Sequence, residues 1–268
     1  MAVDKLVDST QLDADLTSVA NAIRTKGGTS ASLAFPAGFV DAIDAIETGG
    51  GGSIRDELLG YTPAGDVYWE VSESIPSYSI LGKRGMTKLT LDFSTGGNFA
   101  SSNSNANTFG YNRIPIIVID GGTRGVTLYG YQFSNNSSSF ILVCKGKINR
   151  PATNSNTFRG NTGLTLLDYT YASGNGIGQN EFYGDSSFGT LIIRSSTVMP
   201  LANVNAFSNA TKFRSGGAGG ILYVPSDLIS SYQAATNWST ILGYSTNQIL
   251  PIEGSIYETQ YADGTSIT

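Results

Sequence analysis

Hydrophobic residues return along this chain in two different rhythms. Up to about Glu47 the rhythm is helical: Leu16, Val19, Ala20 and Ile23 fall at i, i+3, i+4 and i+7, with Asp13 or Asp15 placed to cap the amino end and Gly27-Gly28 stopping the helix after Lys26. A second stripe follows at Phe35, Phe39, Ile43 and Ile46, with Pro36 near its first turn. Two helices this short bury too little apolar surface to offset chain entropy, so residues 1–48 need a partner surface or copies of themselves. Gly49-Gly50-Gly51-Gly52-Ser53 then forms a flexible joint, and residues 49–53 mark the domain boundary.

Beyond the joint the rhythm is long. Asn107-Thr-Phe109, Tyr131-Gln-Phe133, Asn156-Thr-Phe158, Asn180-Glu-Phe182 and Asn205-Ala-Phe207 place a phenylalanine at separations of 24, 25, 24 and 25 residues. An earlier coil fits with Ile80 in place of the aromatic, if Gly96 to Asn107 is an inserted loop. Three residues after each anchor stands Asn112, Asn136, Asn161 or Asp185, with Ala210 in the last coil. Short polar side chains there can bond the exposed backbone of their own or the adjacent turn and form a ladder. An apolar residue comes next (Met86, Ile114, Phe140, Leu164, Phe188 or Phe213). Strand-like runs then follow at Leu89 to Phe93, Ile116 to Ile119, Phe140 to Val143, Leu164 to Leu167, Leu191 to Ile193 and Ile221 to Val224.

A period near 24 is too short for a helix pair and too long for a hairpin unit, but it suits one winding of a solenoid with one strand and a looser return path. The fold expected is therefore mainly β: a parallel β-solenoid of about six coils over residues 80–225, with the phenylalanines as an internal spine. Solenoid ends must be covered. Residues 226–254 supply a helix with Ser226 as N-cap, Leu228, Tyr232 and Ala235 on one face, and Trp238 closing the end. Residues 54–79, with Tyr61, Tyr68 and Trp69, are assigned to the opposite end. The polar stretch 255–268 is an added strand or a mobile tail.

Composition changes the picture in three places. Charged residues supply only 14% of the chain, against roughly 25% in ordinary soluble domains; Gly, Ser, Asn and Thr cover the surface instead. The net charge is −5 and no Lys or Arg cluster is present to neutralise a row of phosphates, so nucleic acid is an unexpected partner. Cys144 is the single cysteine and sits in the apolar run Phe140 to Cys144, where a buried inert thiol is expected. The opening Met-Ala-Val-Asp-Lys has no basic start followed by an apolar stretch, and no run approaches the roughly 20 residues that span a bilayer. No signal peptide and no membrane partner are therefore expected.

The coils resemble the BspA-like class of leucine-rich repeats, whose units carry an Ala-Phe anchor, a small or polar ladder residue and a strand ending near proline. The resemblance is strongest in Asn205-Ala-Phe-Ser-Asn-Ala-Thr-Lys-Phe213, in Ile221-Leu-Tyr-Val-Pro225 and in Leu228 to Trp238, and it covers roughly Ile80 to Pro251. Most coils lack that family's ladder cysteine. The segments Ala14 to Gly28 and Phe35 to Ile43 resemble a module that opens tail and other virion proteins of phages infecting Gram-positive gut bacteria. That second resemblance implies docking to other virion proteins or homo-oligomerisation, with Leu16, Val19, Ile23, Phe35, Phe39 and Ile43 as the docking face.

Three functions compete for these features. The first is a non-enzymatic virion protein, a tail or fibre adhesin or a capsid decoration, assembled in the host cytoplasm and exposed on the particle to bind a host-surface glycan or protein. The second is a bacterial cell-surface adhesin of the same repeat type. The third is a glycan depolymerase, which needs two carboxylates some 5 to 9 Å apart. Its candidates are Asp120, Asp168, Glu181 and Asp185, yet Asp185 fits the ladder, and Asp120 and Asp168 are placed where strand-end turn acids are ordinary. The chain has no histidine, which removes His-based triads and His-ligated metals. No catalytic residue, metal ligand or cofactor is therefore expected. Tyr129, Tyr131, Tyr169, Tyr171 and Tyr183 lie just outside successive strands and are the candidate ligand contacts, against the alternative that they fill the return path.

Overall fold

A backbone that winds once every 24 or 25 residues brings chemically equivalent positions one above another, and each strand then finds its hydrogen-bond partners in the next winding. The computed structural model describes residues 9–27, 65–76, 86–100, 108–110, 112–150, 156–171, 176–213, 219–241 and 248–267. The chain divides into two compact units, Met1–Gly52 and Ser53–Thr268.

In the first unit an α-helix runs from Ser9 to Gly27. It starts earlier than its expected cap, so Asp13 and Asp15 lie inside the helix. The reason is visible in Leu12, one turn before Leu16, which lengthens the apolar stripe. Ala20 is buried on that stripe. The second expected stripe and the glycine joint lie outside the described residues.

The second unit is a parallel β-solenoid. Its main sheet has eight strands in the order β1 (Gly65–Glu70), β3 (Met86–Asp92), β5 (Ile116–Asp120), β7 (Phe140–Lys145), β9 (Leu164–Thr170), β10 (Thr190–Arg194), β11 (Ile221–Val224) and β12 (Ile249–Pro251). Six overlap the runs expected from the sequence, with β3 starting three residues earlier and β9 running three residues further. The other two extend the sheet: β1 arises in the stretch assigned to an end cap, and β12 follows the C-terminal helices. Short strands on the return path pair likewise, β2 (Ser74–Ile75) with β4 (Asn98–Phe99) and β6 (Val126–Thr127) with β8 (Ile148–Asn149). The stretch expected to be an inserted loop thus holds a strand, because Phe99 turns inward and is buried.

Alternation along each strand sorts the side chains. One inward column is Val67, Leu89, Ile117, Leu142, Leu167, Leu191, Leu222 and Ile249. Another runs through Trp69, Leu91, Ile119, Cys144, Tyr169 and Ile193. Burial pushes the Cys144 thiol well above its ordinary range, so it stays protonated and inert.

The anchors form one continuous aromatic column. Ring centroids of Phe109, Phe133, Phe158, Phe182 and Phe207 follow at 4.5, 5.5, 5.2 and 5.1 Å. Phe99 precedes them at 6.1 Å and Trp238 closes the column at 6.0 Å from Phe207. Trp238 donates its indole N–H to the Met199 carbonyl, so its burial leaves no orphaned donor. The helix that carries Tyr232, Ile229–Ala234, begins after a 3₁₀ turn at Ser226–Leu228. Ser226 does not cap it; instead its own N–H is taken by the Glu253 carboxylate.

The polar ladder is equally regular. Asn112 N–H donates to Asn136 Oδ1 (2.5 Å), Asn136 N–H to Asn161 Oδ1 (2.9 Å) and Asn161 N–H to Asp185 Oδ1 (2.7 Å). Asn112 and Asn136 also spend their amide donors on the Ile114 and Phe133 carbonyls. Asp185 has no amide to donate. Burial raises its carboxyl well above the usual carboxylate range, against the lowering effect of the backbone N–H groups that face it.

Two outcomes follow. Phe158→Ala should cost about 3–5 kcal/mol in urea unfolding, as a large buried aromatic leaves a cavity in mid-column. Asp185→Asn should stabilise the fold by about 1–3 kcal/mol at neutral pH. Because the folded state holds Asp185 protonated, wild-type stability falls as pH rises from about 4 through the raised folded value. The advantage of the Asn variant in thermal unfolding should therefore be small near pH 4 and widen toward pH 8.

Candidate functional site

The turn that carries each anchor sets the shape of one solenoid edge. Two residues past the phenylalanine the backbone is left-handed in successive coils: Asn135, Gly160, Gly184 and Asn209 have φ of 61°, 76°, 83° and 63°. Only Gly and Asn enter that region readily, which explains the residue types in this column. The turn tips point outward, and Asn135, Arg159, Tyr183 and Asn209 are exposed. Tyr183 is 36% exposed, and the Arg159 guanidinium lies 5.1 Å from its ring centroid. Gly160 N–H donates to the Tyr183 carbonyl, which fixes the two coils against each other under that pair.

The five candidate tyrosines separate accordingly. Tyr183 is exposed on this edge, and Tyr131, two residues before its own anchor, is half-buried with φ of 61°. Tyr129 packs half-buried against the core. Tyr169 and Tyr171 are buried, at 2% and 5% exposure, and are withdrawn as ligand contacts. The physical reason is strand length: β9 continues to Thr170, so alternation sends Tyr169 inward between Cys144 and Ile193.

The outer face of the main sheet is a second surface. Its middle column, Val118, Val143, Asp168 and Ile192, is buried despite pointing away from the solenoid interior. What covers it is the segment after β12. That stretch folds back as a small antiparallel hairpin, with Tyr261 N–H to Thr265 O, Ile267 N–H to Thr259 O and a bridge from Gln260 to Ser266. Arg194 donates to the Tyr257 and Gln260 carbonyls, and the Ala262 N–H donates to Asp168. The Tyr261 ring lies 4.5 Å from Lys145 Nζ and 4.9 Å from the Arg194 guanidinium. Asp263 pairs with Lys88 at 2.7 Å and with Lys145 at 3.4 Å.

Each carboxylate considered for catalysis has a structural partner. Asp120 Oδ1 accepts from Gly122 N–H in the turn after β5. Asp168, expected at a strand end, is instead a fully buried residue inside β9, held by Arg194 Nε and Nη2 at 2.7 and 2.9 Å. Glu181 is buried inside the solenoid against Arg150, Nη2 to Oε1 2.5 Å. Asp185 belongs to the ladder. The Arg150–Glu181 pair escaped the sequence analysis, although Glu181 was the signal: it stands directly before an anchor, in a column otherwise made of Thr108, Gln132, Thr157 and Ala206. Among the described residues no group of three His, Cys, Asp or Glu side chains gathers to hold a metal ion, and no helix is long and apolar enough to cross a membrane.

On the first unit's helix, Leu16 is half-buried and Val19 is 48% exposed. The side chain of Ile23 and the residues Phe35, Phe39 and Ile43 lie outside the described residues. Of the expected docking face, exposed apolar surface is thus seen at Val19, with Leu12 beside it at 45%.

No family model, curated protein or solved structure matches this chain. The surfaces thus offer a turn edge of exposed Asn135 and Asn209 carrying the Arg159–Tyr183 pair, and a sheet face closed by a charged hairpin.

The hairpin gives a direct test. Burial alone would push the Asp263 carboxyl up, but the Lys88 and Thr265 hydrogen bonds and the Lys145 charge outweigh it and hold it below its usual value. A depressed carboxylate stabilises above its unfolded value near 4 and loses that contribution as pH falls through the folded one. Asp263→Asn should therefore speed hydrogen exchange in residues 255–267 at neutral pH while the main strands stay protected. The wild-type hairpin should loosen in the same way only below about pH 4.

Proposed function

We propose that this chain is a non-enzymatic display protein of a phage virion, a tail or fibre adhesin or a capsid decoration. Residues 1–48 would attach it to the particle or to copies of itself, and the solenoid would present the anchor-turn edge to a host-surface glycan or protein. One observation carries the non-enzymatic part: Asp120, Asp168, Glu181 and Asp185 are each tied into a turn, an ion pair or the ladder. A hydrolytic carboxylate pair must instead face a substrate across an open gap.

The display part is supported by the surface. An edge of short amides and hydroxyls offers donors and acceptors at a spacing of one coil, and Tyr183 with Arg159 adds a flat ring and a fixed charge. Sugars and protein loops are bound by this mixture of stacking and neutral hydrogen bonds. The placement on a phage rests on the likeness of residues 14–28 and 35–43 to a virion module. The leucine-rich-repeat type rests on the likeness of the coils, above all residues 205–238.

The test separates attachment from recognition. A chain lacking residues 1–52 should fold yet fail to enter particles; incorporation at the normal level would remove the attachment role. Arg159→Ala with Tyr183→Ala in the full chain should leave thermal stability unchanged and weaken adsorption to host cells or purified wall glycan by about tenfold, the scale of one aromatic–cation contact plus its stacking. Unchanged adsorption would move recognition off this edge.

A further inference from the structure

The return path holds buried polar groups that coil stacking leaves unused. Arg150 follows β8 and Glu181 precedes an anchor, and they meet inside the solenoid with side chains 4% and 1% exposed. Tyr169 reaches the same place from β9. The three line a small cavity whose remaining wall is apolar, including Phe158, Leu167 and Phe182. Arg150 Nε, Glu181 Oε2 and Tyr169 Oη have no hydrogen-bond partner among the described residues. Leaving donors and acceptors unmet in a low-dielectric interior is costly, and native structures rarely leave several together.

The cavity gives the centre of a water molecule about 10 Å³, at the threshold of the roughly 10–15 Å³ that one water needs. The charge balance narrows the occupant further. A cation would be repelled by Arg150 and an anion by Glu181, whereas a neutral molecule with two donors and two acceptors meets all three orphaned groups. We propose that this cavity binds one structural water, which bridges the Tyr169 hydroxyl to the Arg150–Glu181 pair and makes the buried pair tolerable inside an apolar column. The water would join β9, through Tyr169, to the segment after β8 and the Phe182 turn, which the Arg150–Glu181 ion pair already links to each other.

A crystal structure of the full chain, at a resolution that shows ordered solvent, decides the matter. The expected result is one density peak within about 2.7–3.2 Å of Tyr169 Oη and of at least one atom of the ion pair. Well-ordered side chains around an empty cavity would overturn the proposal. Thermal unfolding of Tyr169→Phe provides a second readout, since the ring is kept and only the hydroxyl is lost. With the water in place the variant loses a bridging partner and should melt about 2–4 °C lower. In a dry cavity the substitution removes an unmet hydroxyl, so an unchanged or higher melting temperature would also count against the water.

Discussion

Every coil of this solenoid depends on the coil beside it for its backbone hydrogen bonds, its aromatic contacts and its polar caps. The constraint is registration. A strand displaced by one residue against its neighbour would turn the Leu89–Ile117–Leu142–Leu167–Leu191 column out of the interior. It would also part the rings of Phe133, Phe158 and Phe182. Stacked rings and laddered amides enforce the same spacing through different forces, one by apolar burial and one by direction. Close approach adds a third: a Cβ on Gly163 would lie 2.0 Å from the Ser138 carbonyl oxygen, so only glycine lets these two coils touch.

This dependence explains what could be read from the sequence. The anchor column and the ladder were legible because one physical demand recurs in each winding and leaves the same residue type at the same interval. The six strands were legible for the same reason. Features that occur once left no such trace. The hairpin over the outer face meets partners 94 to 120 residues away, Asp168 and Lys145, and no periodicity announces contacts of that range. Tyr169, a candidate either for ligand contact or for filling the return path, belongs to the strand itself, since β9 runs on to Thr170 and alternation turns the ring inward. Asp168 was misplaced because the apolar run stops at Leu167, and a mid-strand acid on a covered face needs Arg194 and the hairpin, which both lie far along the chain.

The scarcity of charge gives the few charged groups specific work. Buried ions are tolerated only when paired, and here the pairs run from Arg150 to Glu181 across the return path, from Arg194 to Asp168 between adjacent strands, and from Lys88 and Lys145 to the hairpin through Asp263. Stacking fixes neighbouring coils, the Arg194–Asp168 pair reinforces it, and Asp263 ties the hairpin to β3 and β7 at once. Asp185 is the exception that measures the rule. It occupies a neutral ladder position without a cation, and its carboxyl responds by holding its proton.

A consequence concerns where such a protein can change. Inward columns, ladder and left-handed turn positions are each committed to a neighbour, so substitution there loosens two coils. The tips next to them are not. Arg159 and Tyr183 precede Gly160 and Gly184, which carry the left-handed conformations, while their own side chains are exposed, outside the aromatic column and the ladder. A turn whose backbone is held from below by the anchor and from the side by the ladder can present almost any side chain at its tip. Recognition placed on that edge can therefore vary from coil to coil without disturbing the column beneath it, which is the property a display surface requires.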